Sequence, residues 1–291
     1  MGFSVQMSIT LSIITPSYNQ VDFLPTTIAS VLEQSYPALE YFIVDGGSTD
    51  GTVDILQQYV PSGWDKKPDN PHNIRWISEP DHGQAEAINK GFRRTTGEII
   101  GWLNSDDIYL PESFERVATF FQNYPHVDVV YGDYHLIDEH DQIILRKKEI
   151  PFDYNILLYG LDYISQPTVF FRRAMLEQVG YLDEQLNYGL DWDYWLRLAQ
   201  HGATFQHVPH YLAATRLHGT AKTVVAPPAM YAEHEKIRNR YWNKHRFQSS
   251  TWQRIYASVL NKQYRLKRQL LKIGLRRTID FPPSHWVMAR Q

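Results

Sequence analysis

Trp102-Leu103-Asn104-Ser105-Asp106-Asp107 closes an apolar run that begins at Glu98, and its reading decides the fold. Residues 98–103 have the length and composition of a buried strand. Two adjacent carboxylates just past its C-terminal end repel one another unless a cation or hydrogen-bond donors hold them. Open α/β sheets bind ligands outside the carboxyl ends of their strands. Carboxylates at that edge are natural ligands for Mg²⁺ or Mn²⁺, which in turn bind substrate phosphates. Taken alone, the stretch is equally a solvated turn before the helix that opens near Pro111, so the flanking pattern has to arbitrate.

Working outward, strand-like segments at 8–15, 39–44, 74–78 and 98–103 alternate with helical spacing at 20–34, 52–59 and 84–94. Pro111, as an N1 proline, opens a helix through 121, and a strand follows at 127–131. This β-α-β-α order predicts an α/β fold with a mostly parallel, Rossmann-like central sheet flanked by helices. The Pro- and Asn-rich stretch 65–73 reads as a surface loop. Beyond Gly132 the pattern changes to a hairpin of 135–137 and 142–145, a strand at 166–171, a short helix at 174–179 and a longer one at 191–200. Residues 227 to about 275 read as one or two basic helices.

The 291 residues are 43% apolar, ample for a core, and contain no cysteine. Disulfides, thiolate metal sites and cysteine nucleophiles are thereby excluded. No apolar run of about 18 residues is present, and residues 1–10 lack the basic start and apolar stretch of a signal peptide. The expectation is a cytosolic enzyme. The net charge of −3 hides a split: from Lys236 onward there are 14 Lys/Arg and one acid, Asp280, so the tail is near +13 and the remainder near −16. Such a tail suits the inner, anionic face of a membrane or an acidic partner surface. Nucleic acid is not expected, because no nucleic-acid-binding signature accompanies the charge.

Four stretches fall where strand ends should meet. Thr15-Pro16-Ser17-Tyr18-Asn19-Gln20 offers a ring to stack on a base and hydroxyls and amides for a ribose or phosphate. In Val44-Asp45-Gly46-Gly47-Ser48-Thr49-Asp50, Asp45 ends a buried strand, where a carboxylate can accept from an imide N–H such as uracil N3. Asp81-His82-Gly83-Gln84-Ala85-Glu86-Ala87 opens a helix with small residues that let it lie close to a nucleotide, while Asn89 and Gly91 suit packing and helix termination. Asn104 to Asp107 supply the acidic edge.

Together these stretches resemble the family 2 glycosyltransferases, which have the GT-A fold and invert the anomeric centre. The resemblance runs from about Thr10 to Thr223. It rests on ITPSYNQ, IVDGGSTDGT, HGQAEAINKGF, TTGEIIGWLNSDD, GLDWDYWLRL and ATRLHGTAKT. It implies a catalytic domain over 1–226, with a nucleotide-binding half at about 8–107 and an acceptor half at about 108–226, followed by a basic helical extension at 227–291. It implies that Asp45 binds the base, with Pro16, Tyr18, Asn19 and Gly83 lining the same nucleotide pocket.

Asn104-Ser105-Asp106 takes the place of the family's Asp-x-Asp motif, with Asn in the first position, so that Asp106 becomes the main acidic metal ligand with Asp107 nearby. Leu190-Asp191 matches the family's Glu-Asp pair, with Leu for the Glu and Asp191 as base. Trp192 and Gln166 are expected beside the acceptor. The stretch 216–223 matches the flexible lid, with His218 as a further ligand of Mn²⁺ or Mg²⁺ and Lys222 or Arg216 reaching the diphosphate. The implied reaction moves a sugar from a nucleoside-diphosphate sugar, UDP or dTDP favoured, to a saccharide or lipid-linked saccharide, in a chain that can form a homo-oligomer. Two rivals stand beside it: a catalytically silent nucleotide-sugar-binding module, which Asn104 and Leu190 would suit, and a nucleotidyltransferase, for which ITPSYNQ lacks the Gly-rich basic signature.

Overall fold

The structure, a computed structural model, describes residues 8–59, 74–219, 221–225, 228–242 and 250–272. The surface loop expected at 65–73 lies outside them. Strands β1 (Leu11–Ser17), β2 (Leu39–Asp45), β3 (Ile74–Ser78) and β4 (Ile99–Trp102) lie in the order β3-β2-β1-β4, all parallel. Helices α1 (Leu24–Leu32), α2 (Thr52–Tyr59) and α3 (Gln84–Arg94) make the crossovers. Strands buried on both faces are mostly apolar, and β1 and β2, buried along their whole length, follow this with their few polar groups hydrogen-bonded inside, as Ser12 is to Glu40.

The second half extends the same sheet but is mixed. β8 (Phe170–Arg172) runs antiparallel to both β4 and β6 (Val129–Ile137), which pairs parallel with β9 (Phe205–Arg216). β5 (Ile108–Tyr109) closes one edge against β9, and β7 (Ile143–Lys147) pairs with β6. Helices α4 (Ser113–Asn123), α5 (Arg173–Val179) and α6 (Leu190–Gln200) pack on it.

Several local expectations shift. The helix after Pro111 starts at Ser113, because Glu112 takes a left-handed conformation with φ 65°. The segment expected as a strand over 166–171 is a 3₁₀ turn at Gln166–Thr168 followed by the short β8. β9 carries Pro209, which cannot donate to a ladder. It is accommodated where the β6–β9 pairing jumps from Gly132↔Val208 to Asp133↔Tyr211. A Cβ on Gly132 would sit 2.5 Å from Leu212, so the bulge closes only over a glycine.

Two apolar layers cover the sheet. One joins β1, β2 and β4 to α3 and α6, with Trp102 stacked on Trp195 at 5.1 Å between centroids. The other lies under α1 and α4. The basic extension folds back as α8 (Pro228–Tyr241) and α9 (Ser250–Lys272), preceded by the single turn α7 (Lys222–Val225). Ile237 of α8 and Leu260 and Tyr264 of α9 are buried. No helix among the described residues is long and apolar enough to cross a membrane.

Candidate active site

The carboxyl ends of β1 to β4 open onto a cleft of about 790 Å³. Its walls include Pro16, Ser17 and Tyr18 after β1, Gly46 and Gly47 after β2, Asp81, Gly83 and Gln84 around the start of α3, and Asn104 to Asp107 after β4. Arg216, His218 and Lys222 close the far side. β3 and β4 lie three strand spacings apart, roughly 14 Å, the reach of an extended nucleoside diphosphate. Ser17 Oγ is buried in this wall without a hydrogen-bond partner among the described residues, and Tyr18 is 62% exposed at the mouth. A groove of about 850 Å³ between α1, α4 and β9 is slightly larger, but it gathers none of the residues expected to bind nucleotide, metal or acceptor.

The pairing of β5 with β9 sets the acidic end of the cleft. Ile108 faces Ala214, and the same antiparallel count puts Asp106 opposite Arg216. His218 therefore arrives beside Asp106, with Nε2 3.0 Å from Oδ2. That separation suits one divalent ion: two ligands at about 2.1 Å, at right angles about the metal, lie about 3 Å apart. An imidazole and a carboxylate, completed by phosphate oxygens and water, make a fitting donor set for Mn²⁺ or Mg²⁺. The His218 ring packs on Phe23 at 4.6 Å.

Asp107 does not join them. Its Oδ1 accepts from the Arg216 backbone N–H at 2.9 Å, and burial followed by the charge of Asp106 pushes its carboxyl well above the usual range. Among the described residues no three His, Cys, Asp or Glu groups converge on one point. The metal expectation thus narrows to Asp106 and His218. Arg216, expected at the diphosphate, is instead held by the Asp106 and Asp138 carbonyls and by Asp141. Asn104 accepts from Gln84 Nε2 at 2.7 Å, and Ser105 is anchored through its carbonyl by Thr27.

Asp45 is fully buried, and four donors occupy its carboxylate: the N–H groups of Gly47 and Ser48 and the hydroxyls of Ser48 and Ser78. Three of these donors crowd Oδ2 and one takes Oδ1, and the fully buried side chain is not part of the cleft wall, so the carboxylate shapes the loop rather than facing a base there. The carboxylate that lines the cleft at this level is Asp81, which sequence reasoning passed over. Its Oδ2 would lie 2.7 Å from a Cβ on Gly46, so the glycine vacates its niche. Burial raises the Asp81 carboxyl, and Gly83 N–H donates to its other oxygen. Asn19, at φ 50°, ties the first two loops through Thr49 N–H. Asp45→Ala is expected to destabilise the fold by about 2–4 kcal/mol, since it strands buried donors. A melting curve should fall by roughly 5–10 °C.

Asp191 stands in the first turn of α6, half-buried, where the helix N-terminus favours negative charge. Burial pushes its carboxyl up to about 6, against Trp192 N–H donation and Lys222, which hold it down. The loop before it is fastened from α8: Glu233 accepts from the N–H groups of Asn187, Tyr188 and Gly189 at 2.7–2.9 Å. Lys222 Nζ bridges the cleft to this loop, donating to Gln84 Oε1 at 3.0 Å and to the Asn187 carbonyl at 3.2 Å, and burial lowers its pKa.

Trp192, expected beside an acceptor, is turned into the core. It is 2% exposed, its Nε1 donates to the Leu157 carbonyl, and His234 and Arg238 cover its ring. Gln166 donates to the Trp102 carbonyl and keeps a buried Oε1 without a partner among the described residues. Asp162 was missed: its Oδ1 is likewise buried and unpartnered, and burial with the charge of Asp191 raises its carboxyl well above the usual range.

This geometry has relatives. An uncharacterized glycosyltransferase of Nostoc sp. is 32% identical over 183 residues, 60% of this chain and 54% of that protein, so the match spans about half the length of that relative. A PGL/p-HBAD biosynthesis glycosyltransferase of Mycobacterium tuberculosis is 28% identical over 221 residues, 74% of this chain and 80% of that one. Among solved structures, S. aureus TarS 1–349 in complex with UDP-GlcNAc superposes with a TM-score of 0.61 at 18% identity, over 81% of this chain and 72% of that one. At that identity the likeness bears on the fold alone, which is of the GT-A type. The sequence profile described as Glycosyl transferase family 2 matches residues 12–180, and the chain belongs to that family.

Proposed function

We propose that the chain transfers a sugar from a nucleoside-diphosphate sugar to an acceptor hydroxyl, with inversion, in bacterial polysaccharide or glycoconjugate synthesis. The observation that carries this reading is the Asp106–His218 pair at one end of a nucleotide-sized cleft, with a half-buried base, Asp191, beyond Lys222. UDP or dTDP is favoured over a cytidine nucleotide: a carboxylate at Asp81 accepts from the imide N–H of uracil or thymine, which cytosine lacks. Proteins of the same fold solved with UDP-GlcNAc, and with GDP-Man and Mn²⁺, are in keeping with a nucleotide-sugar donor. The acceptor is a saccharide or a lipid-linked saccharide.

Asp106 and His218 would hold Mn²⁺ or Mg²⁺, which when bound neutralises charge growing on the departing diphosphate. Asp191 takes the proton of the acceptor hydroxyl as its oxygen attacks the anomeric carbon and the bond to the nucleoside diphosphate breaks. A single base acting opposite the leaving group inverts the centre. Lys222, beside both the cleft and the Asn187 carbonyl, places a cation where negative charge develops. Thermal shift with UDP, dTDP, GDP and CMP, each with and without Mn²⁺, tests the donor. A rise with UDP or dTDP that needs Mn²⁺ is expected. No rise with any nucleotide would overturn the reading, whereas a rise without turnover of any nucleotide sugar would favour the silent binding module.

A further inference from the structure

Helix α9 presents a face that the donor cleft does not use. It carries six cations, Arg254, Lys262, Arg265, Lys267, Arg268 and Lys272, and no acid. On one side it packs on the π turn Ile156–Gly160, where Leu260 is buried and Asn261 lies against Gly160. Tyr264 reaches Glu149, and Lys267 pairs with Asp153 at 2.9 Å. Trp252, Ile255, Val259 and Leu266 recur at helical spacing about a third of a turn away, and they are 45–64% exposed. Arg254, Lys262 and Arg265, all exposed, border this stripe on the side away from the packed face.

An apolar stripe left in water beside an all-cationic flank is the pattern of a helix lying in a membrane interface. A second copy docked face to face would bring the same cations together, at a cost in repulsion. We propose that this face of α9 seats on an anionic membrane surface, with Trp252, Ile255, Val259 and Leu266 at the headgroup–acyl boundary and Arg254, Lys262 and Arg265 at lipid phosphates. The π turn beneath α9 accepts from Trp192 Nε1 through the Leu157 carbonyl, one residue from Asp191. Seating the helix therefore holds the acceptor end of the molecule at the bilayer, within reach of a lipid-linked acceptor. That consequence rests on the transfer proposed above; the membrane contact does not.

The test is co-sedimentation of the full chain with phosphatidylglycerol–phosphatidylcholine vesicles and with phosphatidylcholine vesicles alone. Binding to the anionic vesicles is expected, weakened about fivefold for each positive charge removed. It should be much reduced by R254E with R265E and by W252S with I255S. Both pairs should keep the wild-type melting temperature and the nucleotide response, which separates this failure from a failure of the donor reading. Absence of binding to either vesicle would overturn the proposal. So would equal binding to both with no effect of R254E and R265E. Concentration-dependent self-association lost in W252S with I255S would also overturn it, assigning the stripe to a second copy.

Discussion

Asp191→Asn lowers kcat by about 10²–10⁴-fold, the range set by loss of a positioned general base, while nucleotide affinity is retained. The amide keeps the shape and the hydrogen bond from Trp192 N–H but cannot take the acceptor proton. The pH profile carries an independent signature. The base works ionised, and burial places its pKa at about 6, so the wild-type rate should fall about tenfold per pH unit below about 6. The folded-state pKa lies above the ordinary carboxylate value. The stability linked to this proton is therefore fully present below the ordinary value and is lost as pH rises through about 6. Asp191→Asn removes that loss, so the variant should melt higher than wild type at neutral pH while being nearly inactive, a trade expected at a site built for function. Single-turnover rates and melting curves from pH 5 to 8 check both halves.

Asp106→Ala abolishes the Mn²⁺-dependent part of nucleotide binding and lowers kcat/KM by about 10²–10³-fold, the scale for removing a charge-stabilising group at a leaving oxygen. Its discriminating partner is Asp107→Asn. Asp107 faces the Arg216 backbone rather than His218, so that variant should keep its Mn²⁺ response, since an amide oxygen can still accept from Arg216. Equal loss of Mn²⁺ response in both variants would return Asp107 to the ligand set. Nucleotide titrations by calorimetry, with and without Mn²⁺, distinguish the two outcomes.

The parallel half of the sheet was legible because β1 to β4 are apolar runs separated by helical spacing, and the acidic edge after Trp102 falls where such sheets bind ligands. β9 was not legible. Pro209 interrupts it, and only the bulge opposite Gly132, a long-range event, lets the strand continue. Asp45 ends β2 and Asp81 lies just past β3, and neither spacing nor composition says which one turns inward. Donors from Ser48 and from Ser78 on the neighbouring strand decide it. Trp192 shows the same limit on a helix: α6 is buried on most of its circumference, so the residue next to a base need not face the cleft. The contribution of α8 through Glu233 had no local signal at all, because the groups it holds are backbone N–H groups of an ordinary loop.

The meeting of Asp106 with His218 depends on counting along two chain segments, since the β5–β9 pairing delivers one to the other. One residue more or fewer between Ala214 and His218 would slide the imidazole by about 3.4 Å, out of reach of an ion held at about 2.1 Å. The segment, buried or half-buried along its whole length, should therefore accept almost no change in length.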